Sequence, residues 1–246
     1  MKQKKAAVVL AAGKGKRMKS DLPKVLHEIN GRPIIQILLD RILPIGFDHV
    51  VLVIGHKGEL VREALASYPV AFVTQSEQLG TGHAVSMARE ELAGFEGTTL
   101  IAAGDVPFLS RASIENLFEV HARTKAAATC LSAIFDDPTG YGRIIRKPGT
   151  DLMEAIVEHK DASSEVLAIK EINTGTFCFD NRLMFEAISQ IGRDNAQGEY
   201  YLTDAVKILR GKGYPVSVVR AANPDEVRGV NSVDQLRYLA DKFSAR

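Results

Sequence analysis

Apolar residues in the first half of the chain follow two alternating patterns. Four short apolar runs have the length and composition of buried strands, at 6–10, 49–54, 70–74 and 98–103. After each of these runs, apolar residues recur at helical spacing, over 33–43, 59–67, 82–92 and 110–124. Pro33 suits the first turn of its helix, and Ser110 is a predicted N-cap. Four strand–helix units in series predict a largely parallel sheet with helices on both faces.

The second half of the chain is less regular. Its pattern predicts strands at 126–135, 172–179 and 215–219, and helices at 183–191, 201–210 and 232–243. A turn over 136–142 (DDPTGYG) precedes a segment, 143–157, that predicts two short strands around Pro148–Gly149. Because the chain has no repeats or linker-like stretches, we predict one α/β domain over residues 1–246. Its sheet is expected to be Rossmann-like and mostly parallel or mixed.

The composition is that of a globular protein, with 46% hydrophobic and 25% charged residues. The formal net charge of +1 gives no support to a large binding surface for nucleic acid or an anionic membrane. A small anionic substrate needs only a few local cations. No run approaches the ~18 apolar residues of a membrane span, and the N-terminus lacks the separate apolar region of a signal peptide. We therefore expect a cytoplasmic protein, with Cys130 and Cys178 as buried, reduced thiols.

The segment from Leu10 to Lys24, LAAGKGKRMKSDLPK, follows the first predicted strand. Its small residues let the backbone approach a ligand and expose N–H donors to phosphate oxygens. Arg17 offers a fork that suits phosphate, and Lys24 offers a mobile point charge. The dinucleotide pattern G-x-G-x-x-G fails because Met18 stands at the third glycine position, and the P-loop pattern is absent. The glycines alone also fit a tight turn, whereas the full string favours a loop that holds a triphosphate.

Two further segments follow predicted strands of the same half. Ligands of open α/β sheets bind outside the carboxyl ends of the strands, so Gln75–Thr81 and Gly104–Pro107 are expected beside the loop. The Gln75 amide can pair with the edge of a pyrimidine, but the segment also fits a surface loop in which Thr81 caps the next helix. Asp105 is a natural Mg²⁺ ligand beside phosphate-binding loops, although an Asp after a strand is as often a turn former or a helix cap.

Several strings of residues resemble a known family. The string LAAGKGKRM-x-S-D-LPKVLH is similar to the signature of the sugar-1-phosphate nucleotidyltransferases, and within them to the bacterial N-acetylglucosamine-1-phosphate uridyltransferases. Further strings agree in order: EQLGTGHA, GDVP, DDPTGYGRI, VEHKDA, EINTG, NAQGEYYLTD and GVN. The resemblance covers nearly all of residues 6–243.

The resemblance implies a nucleotide-diphospho-sugar transferase fold, with a nucleotide-binding half at about 1–125 and a sugar-binding half at about 126–246. It implies that N-acetylglucosamine 1-phosphate attacks the α-phosphorus of UTP in line, with Mg²⁺ as the cofactor and pyrophosphate as the leaving group. Arg17 and Lys24 would be catalytic, Arg17 by stabilising charge on the leaving pyrophosphate. Asp105 and Asn231 would hold the metal.

The same resemblance implies the contacts with the substrates. Gln75, Gly80 and Thr81 would bind the uracil ring. Glu158, Asn173 and the backbone at Gly142 would bind the sugar, and residues 195–204 are expected to line the same cavity. The complete predicted set of substrate-binding residues is Leu10, Ala11, Ala12, Gly13, Lys24, Gln75, Gly80, Thr81, Gly104, Asp105, Gly142, Glu158, Asn173 and Asn231. Three histidines in the matched strings have no metal-ligand spacing and are interpreted as structural: His27, His83 and His159.

The sequence departs from the family at three points. Lys16 stands where Thr is more frequent and adds a third cation to the loop. Ala103 stands where the family often has an aromatic residue, two positions before the metal-binding Asp. The bifunctional members continue into a β-helix of hexapeptide repeats that transfers acetyl groups. This sequence reaches Arg246 without such repeats, so we do not expect acetyl transfer.

Two alternative functions stay open. One is nucleotidyl transfer from CTP, or to another sugar or polyol phosphate, which Gln75 and the HKDA and EINTG strings disfavour. The other is a non-catalytic nucleotide-sugar-binding module, which the predicted metal pair disfavours because binding alone does not require it. UTP and a sugar 1-phosphate are the expected partners, and the sequence sets no oligomeric state.

Overall fold

The computed structural model of the protein describes residues 3–13, 15–147 and 152–243. The Pro148–Gly149 connection predicted between two short strands lies outside these ranges, and the side chain of Lys16 is also outside the described part.

The described ranges contain strands and helices that alternate in the first half and mix in the second. The strands are β1 (Lys5–Ala11), β2 (Glu28–Ile29), β3 (Arg32–Pro33), β4 (His49–Ile54), β5 (Ala71–Thr74), β6 (Thr98–Ala103), β7 (Ala128–Ile134), β8 (Arg143–Arg146), β9 (Met153–Val157), β10 (Glu171–Asp180) and β11 (Val216–Arg220). The α-helices are α1 (Ile34–Ile42), α2 (Gly58–Ala64), α3 (Thr81–Ser86), α4 (Arg111–Thr124), α5 (Ser164–Leu167), α6 (Asn181–Ile188), α7 (Leu202–Gly211) and α8 (Val233–Phe243).

One mixed sheet runs through both halves of the chain, in the order β11-β7-β10-β6-β1-β4-β5, with β8 and β9 attached beside β10. Strands β6, β1, β4 and β5 pair in parallel, as the series of strand–helix units predicts. Strand β10 runs antiparallel between β6 and β7, and β11 is parallel to β7. The Rossmann-like α/β fold is therefore confirmed in its mixed form.

Both faces of this sheet are buried. Successive side chains of a strand point to opposite faces, so β1 contributes to two cores. On one face Val9 belongs to a cluster with Leu38 of α1 and Leu117 of α4. On the other face Val8 belongs to a cluster with Leu209 of α7. A strand that is shielded from water on both faces requires an apolar residue at nearly every position, which is the pattern found along β1.

The helix predicted over 82–92 ends earlier than its apolar spacing indicates, at Ser86. Beyond it, the amides of Ala88 and Arg89 bond to carbonyls three residues back, which is a tighter winding than that of an α-helix. The Ser86 hydroxyl also donates to the carbonyl of His83 over 2.7 Å, and such a bond competes with helical geometry. The apolar spacing identified the buried side of this segment but overestimated the length of its helix.

Other boundaries agree closely with the sequence. β4 and β6 begin and end where predicted, and α4 follows Ser110, whose hydroxyl accepts from the amide of Ser113 over 3.1 Å. Cys130 and Cys178 are buried free thiols, as expected. In the ranges that the structure covers, no helix has the length and apolar character needed to cross a membrane.

His121 lies on the sheet side of α4, with Nδ1 2.9 Å from the hydroxyl oxygen of Thr129. Burial lowers the pKa of His121 to about 4, from an ordinary value of 6.5. The side chain is therefore neutral in the folded protein and takes up a proton on unfolding at mildly acidic pH. Below about pH 6.5 the unfolded state binds more protons, so stability falls as the pH drops towards 4.

We expect the variant His121→Asn, which cannot titrate, to lose this contribution to the pH dependence. The difference in unfolding free energy between parent and variant should change by roughly 3 kcal/mol between pH 7 and pH 4. Urea unfolding at a series of pH values measures it. A difference that does not vary with pH would contradict the assignment of a buried neutral histidine.

Candidate active site

A cavity opens at the carboxyl ends of β1, β5 and β6, which we call the edge cavity. Parallel strands end at the same edge of a sheet, so the segments that follow them meet there. All three segments singled out from the sequence contribute to its wall. The predicted residues that line it are Leu10, Ala11, Ala12, Gly13, Lys24, Gln75, Gly80, Thr81 and Asp105.

The ammonium group of Lys24 joins the loop to two distant parts of the chain. It makes an ion pair with the carboxylate of Asp105 and donates to Oδ1 of Asn231 over 3.0 Å. The side chains of Lys24 and Asp105 are each only 15% exposed, so water screens this pair weakly. Asn231 is brought close because the amide of Val230 donates to the carbonyl of Asp105 over 2.8 Å.

The two residues predicted to hold a metal thus point their oxygens at one cation. A carboxylate and an amide oxygen suit Mg²⁺, which takes one or two protein ligands and completes its shell with phosphate and water. Among the described residues, no group of three or more His, Cys, Asp or Glu is placed to hold an ion by itself. The donor set therefore fits a metal that binds together with a phosphate-bearing substrate.

The loop is anchored by Met18, the residue that breaks the dinucleotide-binding pattern. Its side chain is buried in a small cluster with Phe108, Val230 and Leu239. The amide of Met18 donates to the carbonyl of Gly15 over 2.8 Å, and Gly15 has a φ of 59° that favours glycine. Because Val230 precedes Asn231, the same cluster fixes the loop relative to the Lys24 contacts.

A close backbone approach shapes the segment that follows β5. Gly80 has a φ of 114°, and a Cβ on it would lie 2.6 Å from the carbonyl oxygen of Tyr200. The amide of Tyr200 donates to Leu79, and its carbonyl accepts from Gly82, both over 2.8 Å. The segment is therefore held by backbone bonds to Tyr200, and only glycine fits at position 80.

Gln75 and Thr81 occupy opposite ends of this segment. The side chain of Gln75 is 3% exposed, and its amide bonds inside the segment. The hydroxyl of Thr81 accepts from the amide of Leu202 over 3.0 Å. The N-cap position of α3 belongs to Gly80, so the alternative role of Thr81 as a helix cap is wrong. Thr81 instead ties the segment to the start of α7.

The three residues predicted to contact the sugar lie next to one another: Gly142 directly precedes β8, Glu158 directly follows β9, and Asn173 is on β10. The carbonyl of Gly142 accepts from the amide of Asn173 over 2.8 Å, and a Cβ on Gly142 would lie 3.3 Å from Oε2 of Glu158. Oε1 of Glu158 accepts from the hydroxyl of Thr203 over 3.0 Å. None of the three predicted residues is part of the described wall of the edge cavity, so they form a second, separate group.

Three other predicted residues are also outside the described wall of the edge cavity: Arg17, Gly104 and Asn231, whose side chain instead contacts Lys24. Arg17 is exposed on a short 3₁₀ turn, Lys16–Met18. Gly104 is buried behind the wall, where its amide donates to the carbonyl of Leu10 over 2.8 Å. A Cβ on Gly104 would lie 2.9 Å from that carbonyl oxygen, so a glycine lets β6 end close against β1.

Some wall residues were given no role of their own from the sequence. Val25, Gln78 and Ala84 line the edge cavity; they lie within the matched strings LPKVLH and EQLGTGHA, but no chemistry was assigned to their side chains. Glu199 lines it as well, and Thr203 bonds to Glu158. Both lie within 195–204, a string that was singled out as a whole without a role for either side chain.

Residues 7–171 match the model of the MobA-like NTP transferase domain. The chain belongs to this family. The resemblance read from the sequence strings is thereby confirmed, and the protein is a nucleotidyltransferase by family. Curated relatives named "Bifunctional protein GlmU", from Halalkalibacterium halodurans and from Bacillus cereus, are 48% identical over 225 residues. The match takes in 92% of this chain and 49% of each relative, so the chain spans about half the length of the curated relatives it matches.

A solved structure supports the fold of this MobA-like domain. The structure of UDP-glucose pyrophosphorylase complexed with UDP-glucose matches with a TM-score of 0.77, covering 98% of this chain and 99% of that one. Sequence identity is 17%, so the likeness concerns the fold alone. It confirms the nucleotide-diphospho-sugar transferase architecture predicted for this chain.

Glu158 is half-buried, and the free-energy cost of this burial depends on pH. Burial raises the pKa of its carboxyl group; the bond from Thr203 opposes this rise, and the charges of Asp161 and Asp204 add to it. A carboxyl group with a raised pKa favours the folded state only while it is protonated. Its contribution to stability is therefore lost as the pH rises through the folded-state pKa.

We expect Glu158→Gln to be more stable than the parent at pH 8 and to approach it at pH 4, because the amide has no charge to bury. Thermal unfolding at both values measures this. Glu154→Gln is the matched control and should not stabilise the protein. Glu154 lies on β9, four positions before Glu158, and its carboxylate is 3.8 Å from the guanidinium group of Arg210. A variant at position 158 that is less stable than the parent at both pH values would refute the assignment.

Proposed function

We propose that this chain transfers uridylyl from UTP to N-acetylglucosamine 1-phosphate, giving UDP-N-acetylglucosamine and pyrophosphate. The main support is the meeting of the loop, the Gln75–Thr81 segment and the Lys24 contacts around the edge cavity. A nucleoside triphosphate in this cavity would have its base beside Gln75 and its phosphates beside Lys24. The 48% identity to the GlmU proteins supports the same activity.

Mg²⁺ is the proposed cofactor, held by Asp105 and Asn231. When bound, it would supply positive charge to the phosphate oxygens around the reacting phosphorus. Lys24 pairs with both of these side chains in this structure. We propose that its ammonium turns to a phosphate of the substrate, which frees the two oxygens.

The proposed reaction needs no general base, because the attacking sugar phosphate is already an anion. The chain's work is to position two anions and to stabilise the charge that develops between them. The backbone of the loop and Lys24 would hold the triphosphate. Arg17, exposed on its turn, would close over the leaving pyrophosphate.

The sugar would lie between the edge cavity and the group formed by Gly142, Glu158 and Asn173. The Glu158 carboxylate and the side-chain amide nitrogen of Asn173, which bonds to no described residue, suit the hydroxyl and acetamido groups of the sugar. Oδ1 of Asn173 already accepts from the amide of Gly175 over 2.9 Å, which leaves its Nδ2 as the group that would face a ligand. On this proposal, residues from about 126 onwards form the sugar-binding half of one domain.

A pyrophosphate-release assay with Mg²⁺ tests the proposal. UTP, CTP and TTP are each combined with N-acetylglucosamine 1-phosphate, glucose 1-phosphate and other sugar 1-phosphates. We expect the highest kcat/KM for UTP with N-acetylglucosamine 1-phosphate. A higher value for another pair would reassign the substrates, and no release with any pair would favour a binding module.

Asp105→Asn keeps the shape of the side chain but removes the charge that would hold the metal. We expect kcat to fall by about 10²-fold or more, in line with the loss of one preorganised electrostatic group. Asp136→Asn is the matched control, because the Asp136 side chain is fully exposed, 3.6 Å from Nζ of Lys170. Thermal unfolding checks that both variants fold. An unchanged Mg²⁺-dependent rate for Asp105→Asn would rule out the metal assignment.

A further inference from the structure

The side-chain amide of Gln75 is held by two hydrogen bonds on the same atom. Its Nε2 donates to the carbonyl of Gly80 over 3.2 Å and lies 3.1 Å from Nδ1 of His83. An amide nitrogen has two hydrogens, so both are used inside the segment. No described residue donates to Oε1 of Gln75, and Gln75 lines the edge cavity.

The direction of this amide follows from its partners. A backbone carbonyl only accepts, so the atom of Gln75 that faces Gly80 must be the nitrogen. The same nitrogen then donates to Nδ1 of His83, which must accept. A neutral histidine that accepts at Nδ1 carries its hydrogen on Nε2. The carbonyl of Gly80 therefore fixes both the orientation of the Gln75 amide and the tautomer of His83.

The two partners are themselves held in place. Backbone bonds between Leu79, Gly82 and Tyr200 fix the turn that aims the Gly80 carbonyl. The His83 ring lies 6.3 Å from the Tyr200 ring, centroid to centroid, at 37°. The carbonyl of His83 accepts from Ser86 over 2.7 Å. The orientation of the amide is thus built into the segment before a nucleotide binds.

We propose that His83 is a positioning residue that sets the choice of nucleobase through Gln75. With both amide hydrogens used, Gln75 offers only an acceptor, Oε1, to the base. Uracil presents an N–H donor at N3, whereas cytosine presents a lone pair there, and an acceptor facing an acceptor is unfavourable. This proposal rests on the proposed function, in which Gln75 meets the base. It gives His83 a role beyond the structural one read from the sequence.

Two variants separate this role from mere packing. His83→Asn places an amide oxygen close to the position of Nδ1 and keeps the acceptor, whereas His83→Leu has a similar shape and no acceptor. Without the acceptor, the Gln75 amide keeps only its Gly80 bond and can turn its nitrogen to the base at lower cost. The selectivity for UTP over CTP should then fall, while a packing defect would slow both nucleotides alike.

The test compares kcat/KM for UTP and for CTP, with N-acetylglucosamine 1-phosphate and Mg²⁺. We expect His83→Leu to lower the UTP-to-CTP ratio by about three- to tenfold, the effect of one neutral hydrogen bond. His83→Asn should keep the ratio within about twofold of the parent. An unchanged ratio in His83→Leu, or an equal fall in both variants, would overturn the proposal.

A second measurement does not depend on activity. Nitrogen-15 NMR of the histidine side chains in the unliganded parent, with His83→Asn for assignment, reports the tautomer of His83. We expect the form that is protonated on Nε2, and a form protonated on Nδ1 would overturn the proposal. If the parent shows no turnover with UTP, the proposed function fails, whereas turnover with unchanged selectivity in His83→Leu means that only this inference fails.

Discussion

The ammonium of Lys24 is the contact on which the rest of the site depends. It links the loop after β1 to Asp105, which follows β6, and to Asn231, which precedes α8. These two residues lie 81 and 207 positions after Lys24 along the chain. The same three segments are also held together by the apolar cluster around Met18, Phe108 and Val230, and by the hydrogen bond from the amide of Val230 to the carbonyl of Asp105. A side chain with one positive charge thereby organises two oxygens that, in the proposed reaction, serve a divalent cation.

The base side of the edge cavity is organised by neutral hydrogen bonds instead of charge. The Gly80 turn is locked to Tyr200, and the Gln75 amide is locked to that turn and to His83. The sugar side depends on a charged group instead: Glu158 is half-buried, and its burial and two acidic neighbours, Asp161 and Asp204, raise its pKa. A carboxylate that is unfavourable for folding is typical of a position retained for binding, where activity and stability are in conflict.

Much of the fold follows from the sequence because the first half repeats one simple unit. Both faces of β1, β4 and β6 are buried, so these strands appear in the sequence as continuous apolar runs. Helix α4 is also marked locally, by the N-cap residue Ser110. The antiparallel insertion of β10 between β6 and β7 has no local signal, since strand pairing is decided by contacts far apart in the chain. The same limit applies to the site. The segments of the site were predictable because they follow strands. The contact of Lys24 with Asn231 and the bond between Gln75 and His83 were not predictable, because no local sequence pattern indicates them.

We propose that Asp105 and Asn231 form a cation position that Lys24 fills in this structure. Binding of Mn²⁺, a paramagnetic probe that shares the oxygen ligands of Mg²⁺, tests it most directly by electron paramagnetic resonance without nucleotide. Lys24→Met should bind Mn²⁺ about tenfold more tightly than the parent, because a competing charge is removed. Lys57→Met, which removes an equal charge from an exposed residue, should not, and adding Asp105→Asn to Lys24→Met should abolish the gain. An affinity in Lys24→Met equal to or weaker than that of the parent would contradict the claim.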